Sequence, residues 1–246
     1  MRSFSIVLVI FILALATNGQ TPAGYVVVSV GKQSIKLPTP SGYINAWENY
    51  PNLRGAFEIN ETAGNQMLAM YAPVSAVPGL ESGKYLGFPR YFRISVTKSL
   101  DAVDISQLQF DQFVDSFEKR VKSVFNGADG PETRKVVADI RRDLRKYFGT
   151  DGSFELKEPT YLGTLSRSKD EFRCGTLLTA RTLGKDIPVY NTTAVLLLRH
   201  RILFVYFYAN VAAETDLDAF NAESQKVVDA ILVANPVKEK RTIRSR

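Results

Sequence analysis

The chain has 246 residues, 45% of them hydrophobic and 23% charged, proportions ordinary for a globular protein. One cysteine and one histidine exclude an internal disulfide framework and leave too few ligands for a usual zinc or copper centre. The net charge of +6 is unevenly placed: Arg2 precedes an apolar run, and Lys238, Lys240, Arg241, Arg244 and Arg246 crowd the stretch 238–246 against Glu239. The body is therefore near neutral and lacks the electrostatic footprint of a nucleic-acid-binding protein.

From Ile6 to Ala16 the chain is apolar without interruption. That run is shorter than the ~20 residues a membrane-crossing helix needs, and it suits the apolar region of a secretory signal peptide. Ala14-Leu15-Ala16 puts small residues where a signal peptidase reads them, and Thr17-Asn18-Gly19 offers a second cut. The expected organisation is a signal peptide over 1–19, a single α+β domain over 20–237, and a basic disordered tail over 238–246. The stretch Thr193–Ala213 is the longest later apolar segment, and Arg199, His200 and Arg201 interrupt it. No transmembrane segment is expected after cleavage, and the protein is expected in the periplasm or the extracellular medium. The tail is suited to weak contact with an anionic surface.

Tyr25–Val30 is rich in β-branched residues and reads as a strand, with Gln33–Leu37 returning after the turn-like Gly31-Lys32. A short helix is expected within Ile44–Ile59. Gln66–Ala72 and Tyr91–Thr97 read as strands, and Pro73–Pro89, rich in Pro and Gly, reads as a long loop. Leu108, Phe110, Phe113, Val114, Phe117, Val121, Val124 and Phe125 recur at spacings of three and four, the pattern of an amphipathic helix capped by Asp104 or Ser106. A second helix is expected after Asp129-Gly130-Pro131, with Val137, Ile140, Leu144, Tyr147 and Phe148 on one face. Together they predict a helical hairpin at about 105–148.

The chain then returns to strands at Tyr161–Ser168, Arg173–Arg181, Val189–Leu198 and Ile202–Tyr208, the last two joined by Arg199-His200-Arg201 as a charged tip. Thr215, with Asp218 three residues on, predicts the start of a final helix that buries Leu217, Phe220, Val227, Val228, Ile231 and Leu232. Strands, helices, strands and a helix in that order predict an α+β fold with a mostly antiparallel sheet and helices packed on it.

The end of the chain, from Arg173–Arg181 through the Arg199-His200-Arg201 tip to the helix reaching Ile231, resembles the C-terminal half of PsbP-like proteins. Ile35-Lys36-Leu37-Pro38 followed by Gly42-Tyr43 is similar to their opening. PsbP is an accessory protein of photosystem II, and the bacterial periplasmic protein DcrB has a similar fold. The resemblance implies a sandwich of helices around an antiparallel sheet, and an accessory or binding role in place of catalysis. It supplies no functional residues.

No catalytic or cofactor-binding motif is present. His200 sits on a predicted turn between arginines, and Cys174 sits in an apolar alternating strand, the setting of an inert buried thiol. Asp101 with Asp104, and Asp111 with Asp115, are the closest pairs of acids; the second pair falls on the polar face of its helix. Arg134, Lys135, Arg141, Arg142, Arg145 and Lys146 form a basic face, either solvated or an anionic docking surface. Phe204, Tyr206, Phe207 and Tyr208 are expected to alternate between the two sheet faces, and to line a ligand groove if one face is open. Asn60-Glu61-Thr62 and Asn191-Thr192-Thr193 fit the N-glycosylation pattern. The functional expectation is an exported, non-enzymatic accessory or binding protein of the cell envelope, with no cofactor and with an envelope protein or a small apolar ligand as partner. The alternative is an exported hydrolase using carboxylate or serine chemistry without histidine, with Pro73–Pro89 as a lid.

Overall fold

The computed structural model describes residues 24–58, 61, 64–82, 88–126, 138, 155–182, 185–211 and 215–236. The expected signal peptide, the basic tail and, apart from residue 138, the second helix of the helical hairpin lie outside these residues.

The first two strands, β1 (Tyr25–Val30) and β2 (Gln33–Pro38), form an antiparallel hairpin of their own. Its turn needs Gly31: φ is +55°, and a Cβ there would stand 2.6 Å from the Asp101 carbonyl oxygen. The main sheet has seven strands in the order β3-β4-β5-β9-β8-β7-β6. They are β3 (Tyr43–Asn45), β4 (Asn65–Pro73), β5 (Arg90–Thr97), β6 (Glu155–Arg167), β7 (Glu171–Thr182), β8 (Lys185–Leu198) and β9 (Arg201–Asn210), and each neighbouring pair is antiparallel. The fold is α+β, with helices packed on an antiparallel sheet.

Strand alternation divides the core into two faces. On the first face, Tyr71, Phe92, Ile94, Leu196, Leu203 and Val205 meet the hairpin residues Val30, Ile35 and Leu37. They also meet Phe220, Val227, Val228 and Ile231 of the last helix, α5 (Leu217–Ala234). On the second face, Phe172, Val195, Ile202 and Phe204 take Phe110 and Val114 of the long helix α4 (Gln107–Asn126). Beyond them, over β4, three short helices bury Ala46, Phe57 and Leu80 against Met67 and Met70: α1 (Ala46–Asn49), α2 (Arg54–Phe57) and α3 (Val77–Glu81).

Four expectations change. The Pro73–Pro89 loop is helical in part: a 3-10 turn over Val74–Ala76 leads into α3, where Pro78 occupies the first turn and Leu80 is buried. Proline in a first turn starts a helix, so a composition that reads as loop holds a helix N-terminus. The last helix is capped by Asp216, whose carboxylate accepts from the Ala219 amide at 2.9 Å, one residue after the expected Thr215. Leu108, 68% exposed, is off the buried face of α4, because it stands two residues and about 200° from Phe110. Finally, Arg201 is not part of a solvated tip. It is buried, donates to the Val103 and His200 carbonyl oxygens, and pairs with Asp104.

Candidate functional site

The strand register assembles a polar and aromatic strip on the second face, beside the α4 cluster. Across the sheet, Arg93 of β5 stands opposite Tyr206 of β9, Tyr206 opposite Thr193 of β8, and Thr193 opposite Cys174 of β7. The next row runs Tyr91, Tyr208, Asn191 and Thr176. Phe204, Tyr206 and Tyr208 share this face because they are two residues apart, while Phe207 turns to the opposite core. The alternation read from the sequence therefore holds.

The rings form a ladder. Tyr91 stacks on Tyr208 with centroids 4.7 Å apart, and Phe204 lies nearly parallel to Tyr206 at 5.9 Å. Phe113 and Phe117 of α4 continue it against Phe204 at 6.1 and 5.9 Å. The Arg93 guanidinium rests across the gap between Tyr206 and Tyr208, 5.0 and 5.4 Å from their centroids. Such cation–π contacts contribute about 0.5–2 kcal/mol each, the larger values where the pair is desolvated.

Arg93 is 6% exposed, whereas Tyr91, Tyr206 and Tyr208 are half-buried. Burial alone would favour the neutral guanidine, but the acidic groups around it, of which the Glu61 carboxylate is the one ionised at neutral pH, hold it charged and its pKa above the ordinary arginine value. Its counter-ion is Glu61, 3.9 Å from Nη1, too long for a hydrogen bond. The Glu61 carboxylate is held elsewhere, accepting from Ser95 Oγ at 2.5 Å and from Asn65 Nδ2 at 3.0 Å. Among the described residues the Arg93 Nε–H has no hydrogen-bond partner. Desolvation pushes the Tyr206 and Tyr208 hydroxyls above the usual tyrosine range, so both stay protonated. Next to them Asn191 is engaged at both amide atoms: its Nδ2 donates to the Phe207 carbonyl at 3.0 Å, and its Oδ1 accepts from Thr193 and Thr176. That amide is buried inside a strand, which removes Asn191-Thr192-Thr193 as a glycosylation acceptor in the folded protein.

A second buried arginine, Arg173 of β7, is used differently. Its Nη1 donates to Ser224 Oγ at 2.5 Å and to the Asn221 carbonyl at 2.9 Å, and its Nε faces Glu171 at 3.7 Å beneath α5. Tyr190 also reaches Asn221, at 2.8 Å. This network fastens helix to sheet.

The remaining expected residues are separate. His200 is exposed on the β8–β9 turn, with Nδ1 3.3 Å from the Ile105 carbonyl oxygen, beside a hollow of about 540 Å³ bordered by Gln33, Asp104, Gln107 and Gln109. Asp111 and Asp115 are exposed, and Asp115 pairs with Arg167 at 2.7 Å. The basic face of Arg134, Lys135, Arg141, Arg142, Arg145 and Lys146 lies outside the described residues, as does Asn60. Among the described residues no group of His, Cys, Asp and Glu is placed to hold a metal ion, and no helix is long and apolar enough to cross a membrane. The sequence carried no signal for Arg93, Glu61 or Ser95, because only the register brings them together.

No protein-family model and no curated protein matches the chain. A solved structure of a mutant of the protein Mog1 is similar at 10% identity and a TM-score of 0.36, covering 88% of this chain and 97% of that one. The Saccharomyces cerevisiae Ran-binding protein Mog1p is similar at 11% identity and a TM-score of 0.32, covering 87% and 93%. Similarity at this level carries no information about partners, and the resemblance to PsbP-like proteins rests on its sequence features alone.

Proposed function

We propose that this is an exported, non-enzymatic accessory or binding protein of the cell envelope, working in the periplasm or outside the cell, and that it recognises an envelope protein through the Tyr91–Tyr208–Arg93–Tyr206 strip. The observation that carries this reading is the buried Arg93 guanidinium lying against two half-buried tyrosines on a rigid sheet. Tyrosine and arginine dominate the energy of protein-binding surfaces, because they offer large area and several polar contacts for little lost conformational freedom. A strip built on strands is also already ordered before a partner arrives, which lowers the entropic cost of binding. Export is supported by the Arg2 start, the Ile6–Ala16 apolar run and the small residues after it.

The test is affinity capture from the native envelope fraction, comparing the wild type with Tyr206→Ala and Tyr208→Ala variants shown to fold. A stoichiometric partner is expected for the wild type, with at least a tenfold weaker complex for each variant. A partner retained equally by both variants, or turnover of a defined substrate by the purified protein, overturns the reading.

A further inference from the structure

We propose that the strip receives a carboxylate from an acidic side chain of the partner protein, bound side-on to the Nε edge of Arg93. This rests on the binding-face reading above and gives it a chemistry.

The argument begins with what Arg93 lacks. A guanidinium offers five N–H donors, and its Nε with the adjacent Nη forms a fork that matches the two oxygens of a carboxylate. In Arg93 the Nε–H is buried and has no acceptor among the described residues. The carboxylate paired with it, Glu61, balances the charge from 3.9 Å and does not hydrogen-bond to it. Glu61 is held back by Ser95 and Asn65, which fix its two oxygens at 2.5 and 3.0 Å. The buried cation thus has a distant counter-ion and an unused donor. An unmade hydrogen bond of this kind disfavours the free state, and an arriving acceptor removes that penalty.

Access and selectivity follow from the neighbours. Arg93 lies against Tyr206 and Tyr208, which are half-buried and more exposed than Arg93 itself. Both phenols keep their protons and can donate to an oxygen beside the guanidinium. An amide carbonyl would use one donor where a carboxylate uses the fork. Glu61 opposes an incoming anion, so it limits the affinity of the free carboxylate and leaves tight binding to a partner that also covers the tyrosines. Arg173 provides the contrast: its Nε also lacks a partner, but Ser224, Asn221 and the overlying helix enclose it.

The experiment is a titration of the purified protein followed on the Arg93 Nε–H resonance, with capped glutamate and capped glutamine as probes. Capped glutamate should shift that resonance saturably, and capped glutamine should do so at least tenfold more weakly. Glu61→Gln should tighten capped glutamate several-fold by removing a like charge. Arg93→Lys keeps the positive charge but lacks the fork; it should weaken partner capture about tenfold or more. Equal response to both probes, or no response to either, overturns the proposal. If capture still depends on Tyr206 and Tyr208 in that event, the binding face stands without the carboxylate. A selective capped-glutamate response without any captured partner supports the carboxylate site and removes the protein-binding reading.

Discussion

Asn235 and Lys36 pair as two strands would: the Asn235 Oδ1 accepts from the Lys36 amide at 2.8 Å, and its Nδ2 donates to the Lys36 carbonyl at 2.7 Å. The same Nδ2 reaches the Ile231 carbonyl at 2.8 Å, so one side chain ends α5 and ties it to the hairpin. The β1–β2 sheet is separate from the main sheet, and this link, with the Arg199 contact to the Ser34 carbonyl, supplies polar fastening that its own ladder cannot. Asn235→Ala is expected to lower stability by about 2 kcal/mol, because buried backbone groups lose their partners. Chemical denaturation measures the loss, and hydrogen exchange should rise first in β2.

The β8–β9 turn places Arg199 and His200 at φ of 49° and 65°, the left-handed conformation that a two-residue hairpin turn of type I′ demands. Neither residue favours it. Replacing His200→Gly alone, which keeps the Arg199 contact to the Ser34 carbonyl, should raise stability by about 1 kcal/mol, read from the denaturation midpoint. The Ile105 amide bonds the His200 backbone oxygen, a contact the replacement keeps.

Cys174 is fully buried, and desolvation pushes its thiol up to about 12. The reactive species is the thiolate, so a maleimide reagent at pH 8 should leave the native protein unmodified and label it rapidly in denaturant. Labelling of the native protein at the rate of a free thiol would contradict this packing.

Glu118 of α4 joins Lys122, Thr164 and Tyr161, and the Lys122 and Thr164 hydrogen bonds hold its carboxyl below the usual range. A carboxyl with a lowered folded-state pKa contributes stability above its unfolded value of about 4.3, and that contribution fades as pH falls through the folded value. The stability difference between wild type and Glu118→Gln should therefore be flat above about pH 5 and shrink in acid. A difference that grows on acidification would reverse the sign and refute the assignment.

Periodicity in the sequence determined the elements. Alternation marked the strands of the second half, a spacing of three and four marked α4 and α5, and one cysteine in an apolar strand marked a buried thiol. These are local consequences of side-chain geometry, so the sequence shows them directly. Local rules erred where a residue had two uses. Pro78 starts a helix in a stretch that reads as loop, and Arg201 belongs to a charged triplet but lies buried against Asp104. The candidate site was a tertiary decision altogether. Glu61, Arg93 and Tyr206 are far apart in the chain and belong to three different parts of it. Arg93 and Tyr206 meet because β5 pairs with β9, Ser95 and Asn65 hold Glu61 beside them, and pairing register depends on the summed burial of both sheet faces, which no single segment encodes.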